Sequence, residues 1–253
     1  MKSRQQLAAL LTACVALGAC GSDGEPDQES DEAVHWTYAE AGDWGDLDEQ
    51  YAACGTGKRQ SPVDLAGAAE EDLVDPVLDY EPIELTVTDT EHSIQVGYDA
   101  GSTLTLDDTA YDLVQLHFHA PSEHTVDGQP AAAEIHLVHG GPDGSYVVLG
   151  VLVEEGAPGD AVDDVLGHLP EGPGDAAAGL TFDADALLPE SLETYRYEGS
   201  LTTPPCTEAV TWLVLAEPVT WSAEQLALLT ARYDDNARPT QPLHDRTLVL
   251  DRS

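Results

Sequence analysis

Two short segments of the sequence, residues 115–119 and 133–138, carry three histidines in patterns that are typical of β-strands. Because side chains on a strand alternate between its two faces, His117 and His119 point the same way. If the second segment pairs with the first, His136 joins them and three imidazoles converge on one point. A catalytic zinc ion uses such a set of ligands and keeps a fourth position open for water or substrate. The sequence therefore predicts two neighbouring strands that hold a zinc ion.

The same alternation places hydrogen-bonding residues beside two of these histidines. Gln115 shares a face with His117, and Glu134 shares a face with His136. Metal-bound imidazoles usually donate their other N–H to such an acceptor, which fixes the tautomer and the orientation of the ring. We therefore predict that Gln115 and Glu134 support the ligands, whereas His139, on the opposite face, has a structural role. The alternative is that the paired histidines are ordinary polar residues of a strand.

Strand-like segments dominate the rest of the chain, and helical patterns are few and short. The clearest helix begins at Ser222, a good N-cap with Gln225 three residues later as its capping-box partner, and residues 160–169 form a weaker candidate. Between these helices, glycines and a proline over residues 172–189 predict a long irregular stretch, which in a compact domain often borders a functional site. The predicted strands cover residues 93–98, 102–106, 113–120, 132–139, 146–153 and 209–215.

The charge of the chain excludes one class of partner. The sequence has 48 Asp and Glu residues against 9 Lys and Arg residues, which gives a formal net charge of −39. Such a field repels polyanions, so we expect no binding to nucleic acid. The acid-rich, lysine-poor composition resembles proteins from saline environments. Because salt screens the repulsion between exposed charges, we expect the folded state to be more stable in salt.

Residues 1–19 are predicted to be a signal peptide rather than a part of the fold. Lys2 and Arg4 precede an apolar stretch that is too short to span a bilayer. Residues 17–20 (LGAC) resemble a bacterial lipoprotein cleavage box, in which Cys20 becomes the lipidated first residue. The alternative is an ordinary secretory signal that is cut nearby. We expect an exported protein, periplasmic or at the cell surface, which contacts a membrane only through the lipid on Cys20.

The export signal bears on the domain boundary and on the cysteines. Residues 20–33 are polar, acidic and without periodicity, so we expect a disordered tether before a single folded domain at residues 34–253. Export makes disulfides possible. Of the four cysteines, one lies in the signal peptide and Cys20 is the lipid site, so Cys54 and Cys206 are left to form a single bridge. The alternative is two buried free thiols.

Eight segments spread over residues 35–246 form one recognisable series. They are residues 35–38 (HWTY), 59–64 (RQSPVD), 115–119 (QLHFH), 122–128 (SEHTVDG), 133–139 (AEIHLVH), 187–191 (LLPES), 199–205 (GSLTTPP) and 236–243 (NARPTQPL). In this order they resemble the α-class carbonic anhydrases. The resemblance implies a mostly β (α+β) single domain, with a large central, mainly antiparallel twisted sheet and a few short peripheral helices. It also implies the Cys54–Cys206 bridge, which bacterial and extracellular relatives share.

The resemblance implies zinc on His117, His119 and His136, with water in the fourth position. In carbonic anhydrases zinc brings the pKa of this water to about 7, so that zinc-bound hydroxide attacks carbon dioxide at neutral pH. Thr202 matches the residue whose hydroxyl accepts a hydrogen bond from this hydroxide and donates its own proton to Glu123. This relay aims the oxygen lone pair at the substrate.

The resemblance also implies a substrate pocket beside the metal. The backbone N–H of Thr202 is expected to bind an oxygen of the substrate or of an anionic inhibitor, and Thr203 lines the same pocket. Carbon dioxide is apolar and needs an apolar wall. For each residue of this wall the alternative is a plain core position. The family's wall positions match Val138, Val148, Leu201 and Trp212.

A histidine suits the removal of the proton that each hydration releases, because its ordinary pKa lies near 6.5. His92 aligns with the family's proton shuttle, and Tyr38 and Gln95 align with residues that order the intervening water. The alternative for His92 is a solvated surface histidine. His124, which follows the predicted relay carboxylate, is expected to brace the site through hydrogen bonds.

Together these residues predict an enzyme that hydrates carbon dioxide reversibly to bicarbonate and a proton, with Zn²⁺ as its cofactor. Anions and sulfonamides are the inhibitors that the family resemblance implies. Two alternatives are a non-catalytic, carbonic anhydrase-like surface binding module and a zinc esterase. The sequence leaves the oligomeric state open, with a dimer among the candidates, and the three histidines could also take another divalent metal.

Overall fold

Fourteen β-strands form most of the regular structure in residues 34–252, which are the residues that the computed structural model describes. The predictions for the signal peptide, for the lipidated Cys20 and for the tether lie outside these described residues. The strands are β1 (Ala69–Glu71), β2 (Val77–Asp79), β3 (Ile83–Asp89), β4 (Ile94–Gly97), β5 (Thr103–Leu106), β6 (Thr109–His119), β7 (Thr125–Val126), β8 (Gln129–Pro130), β9 (Ala133–Gly140), β10 (Tyr146–Glu155), β11 (Gly174–Phe182), β12 (Thr194–Ser200), β13 (Glu208–Trp221) and β14 (Val249–Asp251).

Twelve of these strands belong to one sheet. Ten follow the order β1-β14-β12-β13-β10-β9-β6-β4-β3-β11, while β5 pairs with β6 and with β2. The pairs β1·β14 and β10·β13 are parallel, and the other pairs of this sheet are antiparallel. β7 and β8 form a separate hairpin. The predicted mostly β fold with a large, mainly antiparallel sheet is confirmed.

The helices of the described residues are short. They are α1 (Trp44–Leu47), α2 (Ala52–Thr56), α3 (Asp160–Leu166) and α4 (Ala223–Arg232), with 3₁₀ turns at Tyr38–Glu40, Glu49–Tyr51 and Ala184–Leu187. The predicted start of α4 is confirmed, because the Ser222 hydroxyl accepts from the Gln225 N–H at 3.2 Å and the Gln225 side chain accepts from the Ser222 N–H at 2.9 Å. Between residues 34 and 252, no helix is both long and apolar enough to cross a membrane.

One prediction about the chain is wrong. The stretch at residues 172–189 is not irregular throughout, because Gly174–Phe182 forms β11 and pairs antiparallel with β3. This strand is rich in Ala and Gly, and most of its residues are exposed or half-buried, so it lacks the alternation of large apolar residues that predicts a strand. Its register shifts between Ala177 and Thr181, around Gly179 at φ 70°. β11 is an edge strand, three strands away from β6.

The central strands β6, β9 and β10 have buried side chains on both faces. On one face, Phe118 and Leu149 belong to the main hydrophobic core, which also contains Leu229 of α4. On the other face, Val148 and Trp212 belong to a second apolar cluster. A strand that is covered on both sides holds polar side chains away from bulk water on one face while its other face anchors it in the core.

Candidate metal centre

The pairing of β6 with β9 brings the three predicted ligands together. His117 lies directly opposite His136 across the two strands, and His119 lies opposite Glu134. The ring centroids of His117 and His119 are 4.9 Å apart, those of His117 and His136 are 5.1 Å apart, and those of His119 and His136 are 4.5 Å apart. One nitrogen from each ring lies within 4.8 Å of the others. The three imidazoles therefore face one common point.

Hydrogen bonds fix the tautomer of the two histidines on β6. The Nδ1 atom of His117 lies 2.8 Å from the side-chain oxygen of Gln115, and the Nδ1 atom of His119 lies 2.6 Å from the backbone oxygen of Asn236. Because both partners are acceptors, both Nδ1 atoms must carry the proton. The lone pairs of His117 and His119 therefore lie on Nε2. The contact to Asn236 has no local sequence signal, since the two residues are 117 positions apart.

His136 uses the opposite nitrogen. Its Nε2 atom donates to Glu134 Oε1 at 2.9 Å, which leaves the lone pair on Nδ1. The Nε2 atom of His119 is buried and has no hydrogen-bond partner among the described residues. A buried polar atom without a partner is costly, but a metal ion that accepts its lone pair satisfies it. Three neutral nitrogen donors suit Zn²⁺, so the residues of this site fit that ion.

The Glu134 carboxylate organises this side of the site. Its Oε1 atom accepts from His136 Nε2 at 2.9 Å and from His124 Nδ1 at 2.7 Å, and its Oε2 atom accepts from the N–H groups of Glu123 and His124, each at 2.9 Å. Burial alone raises the pKa of Glu134, but His124 and His136 outweigh it and hold the pKa well below its ordinary value. Gly150 makes room for the carboxylate, because a Cβ there would lie 3.0 Å from Oε1.

Burial also keeps two of the ligands neutral. It lowers the pKa of His117 well below the ordinary value, and the nearby His119 and His136 lower it further. Burial likewise lowers the pKa of His119, against the opposing field of Glu123. For His136, the attraction of Glu134 outweighs burial and raises the pKa. Since a metal binds the neutral imidazole, the first two ligands are ready for a metal at neutral pH.

A pocket of about 280 Å³ opens beside the histidines. All six residues that the sequence predicts for the substrate pocket line it. Three further lining residues, Val114, Gln115 and Tyr146, have no predicted contact with substrate. The register places Val148 next to both Val138 and Trp212, so the apolar wall lies on neighbouring strands. The predicted residues are Val138, Val148, Leu201, Thr202, Thr203 and Trp212.

The Glu123 carboxylate is buried and points toward two of the predicted ligands, His119 and His136. Its Oε1 atom accepts from the backbone N–H of Arg238 at 2.8 Å. Its Oε2 atom lies 3.6 Å from His119 Nε2 and 3.9 Å from His136 Nδ1, and has no hydrogen-bond partner within residues 34–252. Thr202 is buried and lines the pocket, but no hydrogen bond joins its hydroxyl to Glu123 in the described residues. The relay between these two residues therefore stays a prediction.

The loop that carries Thr202 is tied to the N-terminal part of the domain. A disulfide joins Cys206 to Cys54, with their Cα atoms 5.1 Å apart, as predicted. The N–H of Cys206 donates to the backbone oxygen of Thr203 at 2.8 Å, and the Gln60 side chain donates to the backbone oxygen of Cys206 at 3.1 Å. These contacts hold the turn that follows Thr202.

Arg238 is a structural residue that the sequence does not single out. Its guanidinium is buried and donates to the Gln60 side chain at 2.9 Å and to the backbone oxygen of Cys54 at 2.9 Å. It also lies over the ring of Trp44, 5.7 Å from the centroid. Because its own N–H binds Glu123, Arg238 connects the disulfide region to the carboxylate beside the metal ligands.

The predicted shuttle residue lies beside the metal pocket rather than in it. The His92 ring stacks on Trp36, with centroids 3.7 Å apart and planes 14° apart. His92, Trp36 and Tyr38 line a depression of about 240 Å³, whereas His92 does not line the pocket of the three histidines. Burial lowers the pKa of His92, and His35 lowers it further against the opposing effect of a neighbouring carboxylate.

The two residues predicted to order water lie closer to the ligands. The ring of Tyr38 meets that of His119 edge-on at 6.4 Å, and Gln95 lies opposite His117 where β4 pairs with β6. Burial raises the pKa of Tyr38 well above its ordinary value, and Glu123 adds to the shift, so the phenol keeps its proton. The structure thus places Tyr38 between the region of His92 and the ligand His119.

Known proteins share this sequence pattern and architecture. Residues 39–252 match the eukaryotic-type carbonic anhydrase family. A carbonic anhydrase of Pectobacterium atrosepticum is 37% identical over 98% of this chain and 100% of its own length. A hyperthermostable carbonic anhydrase from a hydrothermal vent chimney is 38% identical, with a TM-score of 0.84 over 86% of this chain and 100% of that one. The α-carbonic anhydrase of Thermovibrio ammonificans, solved with sulfanilamide, is 39% identical, with a TM-score of 0.80 over 85% of this chain and 99% of that one.

Proposed function

The chain belongs to the eukaryotic-type carbonic anhydrase family, and we propose that it hydrates carbon dioxide reversibly with one zinc ion on His117, His119 and His136. Two observations carry the proposal: the hydrogen bonds leave one lone pair on each ring, and one nitrogen of each ring lies within 4.8 Å of the others. Zinc in this site would supply the Lewis acidity that brings the pKa of water to about 7, the value known for carbonic anhydrases.

Thr202 and Glu123 are proposed to orient the reacting water. The Thr202 hydroxyl donates to Glu123, so the threonine oxygen is left to accept a hydrogen bond from the attacking group. What supports this role is the Glu123 Oε2 atom, which is buried beside His119 and His136 and available as an acceptor. The backbone N–H of Thr202 binds an oxygen of the substrate or of an anionic inhibitor.

The apolar side of the pocket is proposed to hold carbon dioxide. Val138, Val148 and Trp212 are buried there, and Leu201 and Thr203 also line the pocket. An apolar wall suits a substrate without charge, and favours the release of the charged product bicarbonate. Because the relative from Thermovibrio ammonificans was solved with sulfanilamide, we also propose that sulfonamides bind this pocket.

His92 is proposed to pass the released proton to buffer. Its half-buried ring lies at a depression that it shares with Tyr38, whose own ring contacts that of His119. Tyr38 and Gln95 would order the water between the ligand strands and His92. The lowered pKa of His92 means that it returns its proton readily to solvent at neutral pH.

The chain is also proposed to be exported and anchored by a lipid on Cys20. A basic start at Lys2 and Arg4, followed by a short apolar stretch, supports export. The Cys54–Cys206 disulfide supports it as well, because such bonds persist in oxidising compartments. Mass spectrometry of the membrane-extracted protein, beside Cys20→Ser, tests the anchor: the wild type should carry acyl chains on Cys20, and an unmodified N-terminus would contradict it.

Carbon dioxide hydration and ester hydrolysis, measured on the same zinc-loaded protein, test the proposal against its alternatives. We expect fast hydration, much slower ester hydrolysis, and loss of both with a sulfonamide. Ester hydrolysis without hydration would identify a zinc esterase. If neither reaction is seen, the chain is a binding module of this fold, although its complete set of ligand histidines argues against that alternative.

A further inference from the structure

Asn236 is the only asparagine in the sequence. It follows Asp234 and Asp235 in a chain with 48 acidic residues, where asparagine is otherwise not used. Its side chain is 2% exposed. An asparagine differs from an aspartate in the two N–H donors of its amide and in its lack of charge. A single buried asparagine in such a chain therefore marks a position that suits a neutral side chain with N–H donors.

Both the oxygen and the nitrogen of this amide form hydrogen bonds. Oδ1 accepts from the N–H of Ala120 at 2.9 Å, while Nδ2 donates to the backbone oxygen of Phe118 at 3.0 Å and to that of His92 at 3.2 Å. The backbone oxygen of Asn236 separately accepts from His119 Nδ1 at 2.6 Å. One residue thus binds the end of strand β6 on both sides of a metal ligand, and binds the main chain of His92.

The contact to His92 links the turn between β3 and β4 to the end of β6. The turn at residues 90–93 is held mainly by its own bonds, since Thr90 N–H donates to the Ser93 oxygen at 3.0 Å. β4 begins after this turn, and its pairing with β6 starts at Gln95 and His117. The ladder therefore does not fix His92 relative to the end of β6. The amide of Asn236 bridges the two through its donors to His92 and Phe118, in addition to the stacking of the His92 ring on Trp36.

We propose that the side chain of Asn236 is a positioning group, which holds the turn of His92 at a set distance from the ligand end of β6. This role rests on the proposed function, and specifically on proton transfer through His92. Transfer through ordered water depends steeply on the placement of donor and acceptor. A small shift of the turn would slow the removal of the proton while leaving the three ligands and the substrate pocket in place.

Two substitutions of Asn236 distinguish the loss of its N–H donors from the other changes at this position. Asn236→Asp keeps an acceptor for Ala120 but loses both donors and adds a charge, whereas Asn236→Ala loses the whole amide without adding a charge. An effect that the two variants share therefore reports the lost donors. Gln225→Glu is a matched control, because this buried amide also donates twice, to Gly159 and Asp163 at 2.7 and 2.6 Å, but at the start of α4.

In both Asn236 variants we expect kcat at low buffer to fall about tenfold, while kcat/KM falls less than about threefold, because placement of the shuttle affects only proton removal. Imidazole in the buffer should restore most of the lost kcat. In a His92→Ala background, Asn236→Asp should lower kcat no further, since both changes act on the same step. Gln225→Glu should lower thermal stability without changing the ratio of the two constants.

Hydrogen exchange in the metal-free protein gives a readout that does not depend on activity. Amides of residues 90–93 should exchange faster in both Asn236 variants, by about tenfold, while amides of β10 stay unchanged. Unchanged exchange in the turn would overturn the inference. A parallel loss of kcat and kcat/KM without imidazole rescue would overturn it too, because Asn236 would then have only a structural role.

Failure of this inference is distinguishable from failure of the proposed function. If the wild type hydrates carbon dioxide but His92→Ala keeps full kcat at low buffer, the positioning role is overturned and the hydration activity stands. If the zinc-loaded wild type does not hydrate carbon dioxide at all, the proposed function itself is overturned.

Discussion

Strand β9 carries two buried histidines on its opposite faces, and their surroundings differ. The Nε2 atom of His139 lies 2.8 Å from the Tyr80 hydroxyl, and its Nδ1 atom lies 3.1 Å from the backbone oxygen of Val147. Both nitrogens of His139 are thus occupied. His136 uses one nitrogen for Glu134 and keeps the other free. The residue type and the burial are the same, so the hydrogen bonds decide which histidine is able to bind a metal.

The pKa values of the same two residues, His136 and His139, shift in opposite directions. Burial lowers the pKa of His139 to about 4, with only backbone hydrogen bonds opposing it. The carboxylate of Glu134 outweighs burial at His136 and raises its pKa. Burial therefore favours the neutral form of His139 in the apolar core. On the ligand face, the acidic partner Glu134 favours the charged form of His136 while no metal is bound. Four substitutions or conditions test how far this difference between the two faces extends.

The largest expected effect concerns the orientation of the reacting water beside the three histidines, without a change in metal binding. Thr202→Ala should lower kcat/KM by about 10²- to 10³-fold, because it removes a group that orients the reacting water, and zinc content should stay unchanged. Thr203→Ala, a matched threonine in the same pocket, should have a much smaller effect. Equal losses in the two variants, measured by stopped-flow hydration, would mean that Thr202 has no special role.

The second effect tests the core face. Since His139 has a pKa of about 4 when folded and about 6.5 when unfolded, the unfolded chain binds the extra proton between these values. The contribution of His139 is full above about pH 6.5, and the free energy of unfolding drops by about 3 kcal/mol as the pH falls to about 4. His139→Gln should lack this drop. Urea unfolding of the metal-free proteins across this range measures it, and parallel pH curves would refute the assignment.

The third effect tests the acceptor of His136. Glu134→Gln should weaken zinc binding by about 10- to 100-fold, because an amide cannot accept from all four of the N–H groups that the carboxylate binds. Competition with a chelator measures the affinity, and Glu154→Gln, an exposed change on β10, is the control. Unchanged affinity in Glu134→Gln would show that the hydrogen bond to His136 does not tune the metal site.

The smallest effect tests the exposed acidic surface of the protein, which belongs to neither face of β9. With a net charge of −39, we expect the melting temperature to rise by about 5 °C between low and molar salt, because screening relieves repulsion in the folded state. Differential scanning calorimetry at constant pH measures this shift. A melting temperature that falls steadily with added salt would mean that the acidic surface does not limit stability.

The sequence predicts the ligand face well because the information is local. Alternation on two strands places His117, His119 and His136, and it also places Gln115 and Glu134 beside them. Each of these positions lies within two residues of another member of the site. The same reasoning predicts that His139 faces away, and the start of α4 follows from Ser222 and its capping partner.

Contacts between distant parts of the chain escape such reasoning. Asn236 binds His119, which lies 117 positions away in the sequence, and Arg238 binds Glu123, which lies 115 positions away. No periodic pattern in the sequence predicts either contact. Strand β11 escapes it for another reason, since small residues at a sheet edge bury little apolar surface and leave no pattern. The position of His92 beside Trp36, outside the metal pocket, likewise depends on tertiary packing.

Zinc content and hydration rate of His119→Ala, measured beside His139→Gln and the wild type, test the central claim most directly. Both variants remove one buried histidine, from opposite faces of the same sheet. We expect His119→Ala to lose zinc and nearly all hydration activity, and His139→Gln to keep both. Full activity in His119→Ala, or equal losses in the two variants, would contradict the assignment of the three-histidine face as the metal centre.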